Sequence, residues 1–411
     1  MVSKKVFITG ISGFVGSHLA EYLLDEGNEV YGLIRRRADG LKPKNLVDKN
    51  IHGEVRLIEG DITSIASIGL ALRKARIEIV FHLAAQSFVL RSFEDPLETI
   101  KANTLGTINL LEALRLSDLD PLIIFAGSSE EYGLVFSSQK QYKKAVSKYG
   151  AIYPPPEKIP ELPISEKNYL RPMSPYATSK VHGDYLMRNY NTSYGTKTIV
   201  SRSFNTEGAG RGSMFVTSSI TNQVMKLKLR ENDKIVIGNI NAFRDWSHIY
   251  DIVRGYCLLA EKGTPGEIYN QGSMRTNSVL SYILLSLESA GWEVKRIESM
   301  SNRDKVVDSP TQRDNEEMFG LRFEKTKVDR LILADEIEFS LEDRGLWIYT
   351  DARKIPLAFD PNRFRPAEVP ILLSDCRKFQ QLGFSVDRSL DDIISDQLAF
   401  YMDASRRKQG E

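Results

Sequence analysis

Apolar residues in the first half of the chain form short continuous runs, and longer amphipathic stretches separate these runs. A short apolar run between polar turns is typical of a strand that is buried on both faces of a sheet. This pattern predicts strands at 5–9, 29–34, 55–59, 78–83, 122–126 and 198–204. The intervening stretches have the helical period, at 14–26, 97–116 and 176–194 among others. The alternation predicts an α/β fold, in which a doubly wound parallel sheet carries helices on both faces.

The pattern changes after residue 204. Shorter elements follow, and they predict a helix at 216–229, a strand at 234–238, a helix at 248–261 and a strand at 267–271. We therefore expect one domain that comprises residues 1–204 and includes parts of 245–275. A smaller α/β lobe over 205–411 should then cover the carboxyl ends of the strands, where ligands bind in folds of this kind.

Two long stretches have no clear period. Residues 134–170 are rich in Tyr, Lys and Pro, and residues 300–360 form a charged region with aromatic interruptions that we interpret as an insertion. Loops this long are uncommon unless they have a function or order of their own. Two interpretations stay open, which are a flap or subunit contact and a solvated addition to the surface.

Composition narrows the classes of partner. The 411 residues are 42% apolar and 27% charged, with a net charge of +1, so we predict no nucleic-acid and no membrane partner. The chain has no run of eighteen apolar residues and no signal-peptide pattern at its start, and its two cysteines lie far apart. We expect a cytoplasmic protein, and we predict no metal site.

A glycine pattern follows the first predicted strand. Gly10, Gly13 and Gly16 open the first predicted helix, with Phe14 and Val15 between the last two. In a dinucleotide-binding turn these glycines permit the tight turn, the approach of the pyrophosphate and close helix packing. The pattern predicts a Rossmann dinucleotide site, and the alternative is a purely structural turn.

The ends of the next strands predict which dinucleotide binds. Arg35, Arg36 and Arg37 follow the second strand, where arginines match a 2′-phosphate, so NADP is favoured over NAD; the alternative is a solvated basic strand end. Asp61 and Ile62 follow the third strand, near the expected adenine, and Asp61 is also a candidate helix cap. His82 is predicted to be a packed strand histidine. Small residues after the fourth strand should lie along the nicotinamide half, namely Leu83, Ala84, Ala85 and Ser87.

Two polar segments predict chemistry at the same edge. Ser128, Ser129 and Glu130 follow the strand at 122–126, and Tyr176 and Lys180 are one helical turn apart. A Tyr-x-x-x-Lys pair is common on helix surfaces and is weak evidence alone. Here it indicates a catalytic site because the serines and the glutamate are predicted at the same edge of the sheet. Beside a nicotinamide, Lys180 would lower the pKa of Tyr176 and make the phenol a usable base. We predict that these five residues are catalytic and that Tyr176 and Lys180 also contact the cofactor.

An ordered series of motifs then connects the chain to a known family. The series comprises Ala85-Gln86-Ser87, Ser128-Ser129-Glu130, Ser174-Pro175-Tyr176, Phe204-Asn205, Arg211-Gly212, Phe215-Val216-Thr217, Gly238-Asn239, Arg244-Asp245-Trp246 and Phe364-Arg365-Pro366-Ala367-Glu368-Val369. It resembles the extended short-chain dehydrogenase/reductase family and, within it, the GDP-mannose 4,6-dehydratases. The resemblance covers most of the chain.

The resemblance implies a redox-neutral dehydratase of a nucleotide-sugar. By position, Ser128 replaces the family's catalytic threonine, Glu130 its base and Tyr176 its redox tyrosine. The implied reaction passes the C4 hydride to NADP+, removes the C5 proton with Glu130, releases water from C6 with help from Ser129 or Glu130, and returns the hydride to C6. Implied cofactor contacts are Arg35, Arg36 and Arg211. Implied substrate contacts are Gln86, Ser87, Asn205, Val216, Asn239, Arg244, Arg365 and Glu368.

Three departures from the family pattern leave alternatives open. Thr206 stands where the family has a histidine, Ser218-Ser219 where it has a lysine, and Glu131 where it has an apolar residue. The motifs around Glu130 and Tyr176 also resemble the sister reductases. An NADPH-dependent reductase or 4-epimerase is therefore the alternative, followed by a non-catalytic NADP-binding protein. Arg244 has a structural alternative as an ion-pair partner of Asp245, and we expect a homodimer or homotetramer.

Overall fold

A computed structural model of the protein describes residues 3–36, 38–73, 76–117, 119–302 and 304–407. The strands are β1 Lys5–Thr9, β2 Glu29–Ile34, β3 Arg56–Glu59, β4 Ile79–His82, β5 Leu122–Ala126, β6 Thr198–Ser203, β7 Asn205–Glu207, β8 Ile235–Ile237, β9 Phe243–Arg244, β10 Trp246–His248, β11 Ile268–Gln271, β12 Asn277–Ser278, β13 Val294–Ser299, β14 Val306–Asp308, β15 Arg313–Met318, β16 Leu321–Thr326, β17 Gly345–Thr350 and β18 Lys354–Phe359.

The helices are α1 Phe14–Asp25, α2 Lys44–Asp48, α3 Ile65–Arg73, α4 Val89–Glu94, α5 Pro96–Ile100, α6 Gly106–Arg115, α7 Gln139–Tyr149, α8 Pro175–Tyr194, α9 Val216–Lys228, α10 Ile249–Lys262, α11 Val279–Ser289, α12 Lys327–Leu333, α13 Arg377–Gln380, α14 Leu390–Phe400 and α15 Ala404–Arg407. A π-helical turn, Lys101–Leu105, joins α5 to α6, and a 3₁₀ turn, Ser129–Glu131, follows β5. In the described part of the chain, we find no helix with the length and apolar character that a membrane span requires.

A seven-stranded parallel sheet forms the centre of the first half of the chain. Its strand order is β11-β6-β5-β4-β1-β2-β3, and its two faces are covered by separate apolar cores. The predicted doubly wound α/β fold is confirmed. The order reverses between β1 and β4, because β2 lies on one side of β1 and β4 on the other. Such a reversal opens a crevice at the carboxyl ends of the strands, where ligands bind.

A second sheet forms the smaller lobe. Its order is β14-β13-β17-β18-β8, and the helices α9, α11 and α14 pack with it around one large apolar core. The predicted insertion at 300–360 supplies β17 and β18, which lie between β13 and β8. Leu346, Ile348, Ile355 and Leu357 of this stretch are thus part of the lobe's own core. The alternation is hard to see in the sequence because Trp347, Tyr349 and Pro356 occupy outward positions, where polar residues would be expected.

The stretch at 134–170 also has order. The prediction of a loop is wrong for Gln139–Tyr149, which form α7 after the N-cap residue Ser138. Tyr142, Val146 and Tyr149 lie on one side of α7 and pack toward a small apolar cluster around Phe136. The abundance of lysine on the other side hides this stripe in the sequence.

Candidate active site

A cleft of about 1760 Å³ runs along the carboxyl ends of the central strands and into the smaller lobe. Among the described residues that the sequence predicts for the site, all except Arg36 line this cleft. These are Gly10, Gly13, Phe14, Val15, Gly16, Arg35, Asp61, Ile62, Leu83, Ala84, Ala85, Gln86, Ser87, Ser128, Ser129, Glu130, Tyr176, Lys180, Asn205, Arg211, Val216, Asn239, Arg244, Arg365 and Glu368.

The glycine turn packs this tightly only because side chains are absent. Gly10 has a φ of 78°, and a Cβ there would lie 2.8 Å from the Ala84 nitrogen. A Cβ on Gly16 would lie 2.3 Å from the Gly10 carbonyl oxygen. The N-cap of α1 is Gly13, which offers no side chain to the first N–H groups of the helix. These free N–H groups at a helix N-terminus suit a pyrophosphate, so the turn fits a dinucleotide.

The basic residues after β2 do not all reach the cleft. Arg35 lines it, whereas Arg36 points away with an 85% exposed side chain, 3.7 Å from the Glu59 carboxylate. Arg37 lies outside the described residues. Two lysines at and just after α2, Lys44 and Lys49, also line this end of the cleft. Sequence reasoning missed them because α2 is short and carries no motif.

Asp61 is held by its own turn. Its carboxylate accepts the Thr63 N–H at 2.8 Å and the Thr63 hydroxyl at 2.7 Å, and these bonds lower the pKa of Asp61. Asp61 and Ile62 nevertheless line the cleft. The local cap and the predicted place beside the adenine are therefore compatible.

His82 is a packed residue of β4. Its ring nitrogens hydrogen-bond the Thr9 hydroxyl at 2.7 Å and the Thr107 hydroxyl at 3.0 Å. Burial, followed by the nearby Lys180 charge, lowers the pKa of His82 to about 3. The imidazole is thus neutral near pH 7. Gln86 is also occupied, since its carboxamide accepts the Phe88 N–H at 2.6 Å and so closes its own turn.

The turn after β5 presents the predicted serines and glutamate. The Ser128 hydroxyl caps the 3₁₀ turn by accepting the Glu130 N–H at 3.2 Å, and the Glu131 carboxylate accepts the Ser128 N–H at 2.7 Å. This double cap is a capping box. Ser129 and Glu130 are buried and line the cleft from this turn.

Tyr176 and Lys180 reach the same place from α8. The helix begins at Pro175, and the Ser174 hydroxyl accepts the Ala177 N–H at 3.0 Å, which places Tyr176 in the first turn. Burial raises the pKa of the Tyr176 phenol, against a hydrogen bond with Ser128 that lowers it. Lys180 donates to the Ala126 carbonyl at 2.7 Å, and burial lowers the pKa of its ammonium to about 8.

Arginines dominate the wall that the smaller lobe contributes. Arg365 lies 3.4 Å from the Glu130 carboxylate, and this long contact bridges the two halves of the site. Arg244 donates to Glu368 at 2.7 Å and to the Val369 carbonyl at 2.8 Å. Arg211 stacks on the Phe215 ring at 3.5 Å from its centroid.

The structural alternative for Arg244 and Asp245 is answered by their partners. Asp245 accepts hydrogen bonds from the Ser273 hydroxyl and the Ser374 hydroxyl, both at 2.6 Å, whereas Arg244 pairs with Glu368. Arg244 and Asp245 thus bind different partners and do not form an ion pair with each other. Asn205 lines the cleft with a buried side-chain oxygen for which we find no hydrogen-bond partner among the described residues, and Asn239 accepts the Asn241 N–H at 3.0 Å.

Similarity to known proteins agrees with this geometry. The model of the NAD dependent epimerase/dehydratase family matches residues 6–272. The chain belongs to this family. It is 29% identical over 404 residues to the GDP-mannose 4,6-dehydratase of Sinorhizobium fredii (strain HH103), with 96% of each protein covered. It is 30% identical over 408 residues to the GDP-mannose 4,6-dehydratase of Vibrio cholerae serotype O1, with 97% of this chain and 94% of that relative covered. The resemblance inferred from the motifs is confirmed.

Solved structures share the fold. One is RMD from Pseudomonas aeruginosa complexed with NADPH, at a TM-score of 0.64 and 21% identity, with 97% of this chain and 99% of that chain covered. Another is UDP-glucuronic acid 4-epimerase from Bacillus cereus in complex with UDP-glucuronic acid and NAD, at a TM-score of 0.67, 21% identity and the same coverage. At this identity the likeness concerns the fold alone.

Proposed function

We propose that the protein is an NADP-dependent nucleotide-sugar 4,6-dehydratase that acts on a GDP-mannose-like substrate. The observation that carries the proposal is the meeting of Glu130, Ser128 and Tyr176 in one cleft. A dehydratase needs a base for a carbon-bound proton in addition to a tyrosine, and Glu130 supplies a carboxylate beside Tyr176. The near full-length similarity to proteins named GDP-mannose 4,6-dehydratase supports the same assignment.

The dinucleotide fits along the glycine turn. Gly10, Gly13 and Gly16 leave space for the pyrophosphate, and Arg35 supplies the positive charge that a 2′-phosphate requires. A bound nicotinamide would accept a hydride from C4 of the sugar and later return it to C6. Lys44 is a further cation at the adenosine end of the cleft.

Tyr176 and Lys180 handle the hydroxyl proton. The Tyr176 oxygen takes the proton of the sugar 4-hydroxyl, and Ser128 orients that hydroxyl because its own side chain hydrogen-bonds the phenol. The Lys180 ammonium lies 5.9 Å from the Tyr176 ring centroid and favours the phenolate by its charge.

Glu130 handles the carbon-bound proton. A ketone at C4 acidifies the C5 proton, and the Glu130 carboxylate removes it. Ser129 or Glu130 then supplies a proton to the C6 hydroxyl, which leaves as water, and C5 regains a proton when the hydride adds to C6. Arg365 holds the Glu130 carboxylate from the side of the smaller lobe, so closure of that lobe on a substrate would align the base.

The alternative is an NADPH-dependent reductase or a 4-epimerase. These reactions need Tyr176 and Lys180 and have no C5 proton to remove. The motifs around Glu130 and Tyr176, which also resemble the sister reductases, favour this alternative. The presence of Glu130 does not separate the two functions, because the motif around it also resembles the sister reductases, but its removal does, since only the dehydratase reaction requires a base for a carbon-bound proton.

The test is a product analysis without added cofactor. The purified protein is incubated with a panel of nucleotide-hexoses, and the products are identified by NMR. We expect a 4-keto-6-deoxy sugar and no requirement for added reductant. A strict need for stoichiometric NADPH would favour the reductase. Denaturing the protein and identifying the released nucleotide tests the cofactor, and NAD as the sole occupant would contradict NADP.

We also propose a homodimer or homotetramer in the cytoplasm. Leu97 and Ile100 on α5 are exposed, and α5 packs beside α8, where Tyr185 is exposed. Apolar side chains on adjacent helices are suited to a contact between copies of the chain. Light scattering would test this, and a monomeric mass at micromolar concentration would contradict it.

A further inference from the structure

Residues 208–214 form a strap along the cleft beside the dinucleotide turn. The strap joins β7 to α9, and residues 209–214 line the cleft. The Arg211 guanidinium lies 3.5 Å from the ring centroid of Phe215, at the start of α9, and 5.4 Å from that of Phe14, the first residue of α1. The strap thus reaches from the smaller lobe to the helix whose N-terminus suits a pyrophosphate.

The sequence of the strap gives it little stiffness. Three of its residues are glycines, Gly208, Gly210 and Gly212, and Gly210 has a φ of 83°, which favours glycine. Glycines lose more conformational freedom on ordering than other residues do. The strap closes a turn of its own, in which the Arg211 N–H donates to the Gly208 carbonyl at 3.2 Å. Its place in the cleft therefore depends on contacts from the elements around it.

Helix α14 of the smaller lobe supplies two of these contacts. The Asp396 carboxylate accepts the Ala209 N–H at 2.7 Å, and the Gln397 carboxamide donates to the Gly208 carbonyl at 3.4 Å. The helix itself packs against α9 and α11 in the core of the lobe. The lobe therefore fixes where the first residues of the strap lie.

The bond to Asp396 is the strongest of the contacts that hold the strap. The Gln397 bond is long, and the bond from the Ser218 hydroxyl to the Arg211 carbonyl, at 3.0 Å, joins two neutral groups. The Ala209 bond is shorter than both and its acceptor is a carboxylate. Hydrogen bonds to ionised groups are roughly twice as strong as neutral ones. Loss of the Asp396 carboxylate should therefore loosen the strap more than loss of the other contacts.

Asp396 is itself held in place. His248 accepts the Tyr250 N–H at its Nδ1 at 3.2 Å, so the hydrogen of its Nε2 faces the Asp396 carboxylate, 3.4 Å away. Burial alone would raise the pKa of Asp396, but the hydrogen bonds from His248 and Ala209 outweigh burial and lower it. Asp396 is therefore ionised at neutral pH, and the charge that strengthens the Ala209 bond is present.

A negative charge at this place calls for an explanation. Asp396 lines the cleft together with His18 of α1, near the turn where the phosphates of a dinucleotide fit. A carboxylate repels phosphate groups, so Asp396 is unsuited to hold them directly. Arg211 has the opposite charge and a buried Nε for which we find no hydrogen-bond partner among the described residues. Asp396 thus favours a bound dinucleotide only through the strap that carries Arg211.

We propose that the strap keeps the dinucleotide in the cleft and that Asp396 is a positioning residue that fastens the strap. Opening of the strap then limits the rate at which the dinucleotide leaves. A redox-neutral reaction gains nothing from that release. The proposal rests on the proposed function in that the cleft binds NADP.

The first test measures the release of NADPH from Asp396→Ala. The protein is loaded with NADPH, excess NADP is added, and the change in nicotinamide fluorescence is followed in a stopped-flow instrument. We expect release about ten-fold faster than in wild type, as for one lost hydrogen bond to a charged group. Asp396→Asn keeps an uncharged acceptor for the Ala209 N–H, so its release should be only about three-fold faster. Slower release from Asp396→Ala would mean that the carboxylate acts by repulsion alone, and would overturn the proposal.

Asp392→Ala is the matched control on α14. Asp392 lies one turn before Asp396 and accepts the Ser389 N–H at 2.7 Å in the capping box of the helix. Its replacement should lower the melting temperature, because a helix cap is lost, and should leave the release rate of NADPH as in wild type. If Asp392→Ala speeds release as much as Asp396→Ala does, general loosening of α14 explains the effect and Asp396 has no special role.

Proteolysis provides a readout that needs neither substrate nor cofactor. The Arg211 side chain is 15% exposed, so trypsin can cut after it only when the strap leaves its place. In nucleotide-free protein, we expect Asp396→Ala to be cut there about ten-fold faster than wild type, because the open state is more populated. Equal cutting would overturn the role of Asp396, even if the protein binds no NADPH and the proposed cofactor fails. If NADPH binds but no nucleotide-sugar is converted, the proposed reaction fails alone, and the release rates still decide.

Discussion

The two walls of the cleft are built in different ways. The wall at the dinucleotide turn is made of backbone, since Gly10, Gly13 and Gly16 remove side chains and leave N–H groups open. The wall of the smaller lobe is made of charged side chains that already have partners, as in the pairs Arg244 with Glu368 and Arg365 with Glu130. The first wall offers unsatisfied donors to a ligand. At the second, a ligand has to compete with carboxylates for the same guanidinium groups.

This difference predicts how each wall responds to substitution. A backbone wall fails when volume is added, and a wall of ion pairs fails when one partner is removed, because the other is left buried and uncompensated. Glu130 is part of both walls, because it lies on a turn that follows a strand of the central sheet and it contacts Arg365 of the smaller lobe. It is therefore the residue at which the comparison is best tested.

The largest effect is expected for Glu130→Gln. Tyr176 and Lys180 are intact in this variant, so C4 oxidation should continue, while the C5 proton can no longer be removed. Loss of a general base typically lowers the rate by about 100 to 10,000-fold. We expect reduced-nicotinamide absorbance to accumulate after substrate is added, with no exchange of the C5 hydrogen for deuterium in heavy water.

Tyr176→Phe is the matched control for Glu130→Gln. It should abolish both the absorbance change and the exchange, because the hydroxyl proton has no acceptor. If Glu130→Gln keeps nearly all activity in an assay that reduces a supplied 4-keto sugar, the dehydratase assignment is wrong and the reductase is favoured.

A smaller effect is expected at the basic residues after β2. Arg35 lines the cleft and Arg36 does not, so Arg35→Ala should weaken NADP binding and Arg36→Ala should leave it almost unchanged. A charge-assisted hydrogen bond is worth about 1.5–3 kcal/mol, which corresponds to roughly 10 to 150-fold in the dissociation constant. Titration calorimetry with NADP and NAD measures the preference. Equal losses in the two variants would contradict the geometry.

The sequence predicted the backbone wall almost completely. Its glycines, its strand ends and the Tyr176 to Lys180 spacing are local patterns, and a local pattern can be recognised without knowing the fold. The central strands were placed within one residue of their observed ends, as at β3 and β6. Local patterns also placed the turn that carries Ser129 and Glu130, because a buried strand immediately precedes it.

The partners in the second wall could not be predicted in this way. Arg365 and Glu130 are 235 positions apart, and Arg244 and Glu368 are 124 apart, so no spacing relates them. The motifs showed that these residues matter but not which carboxylate each arginine binds. The side-chain direction of Arg36 was also hidden, since adjacent arginines in an exposed segment look alike until the backbone is placed.

In the wall of the smaller lobe, Arg365→Lys should affect mainly substrate binding, whereas Arg244→Lys should affect mainly the stability of the fold. Arg365 has only long contacts, at 3.4 Å to Glu130 and 4.0 Å to Glu368, so its replacement should raise the substrate KM by about ten-fold and leave the melting temperature unchanged. Arg244 has short bonds to Glu368 and to backbone carbonyls, so its replacement should lower stability by about 1–3 kcal/mol. Thermal melts and initial rates of both variants are compared. The reverse assignment of the two effects would contradict this division of roles.

The smallest effect is expected at α7. This helix connects the stretches 134–170 and 300–360 to the wall that the smaller lobe contributes. Lys140 lies 3.6 Å from Asp335, and Lys144 pairs with Glu338, so α7 is tied to the region of 300–360. Exposed pairs of this kind contribute about 0.2–1 kcal/mol each. At the other end of α7, the Tyr149 hydroxyl accepts the Glu368 N–H at 3.3 Å.

Tyr149→Phe tests whether this connection matters for the substrate. Removal of one long hydrogen bond should cost about 0.5–1.5 kcal/mol, and we expect KM to rise about two- to ten-fold with kcat unchanged, because Glu368 loses a constraint but keeps Arg244. Tyr142→Phe is the control on the same helix, since Tyr142 uses its ring against Phe136 at a centroid distance of 5.1 Å. The control should retain the wild-type KM. If the two variants are indistinguishable from wild type in KM and in melting temperature, α7 is a solvated addition that contributes nothing to the substrate site through Glu368.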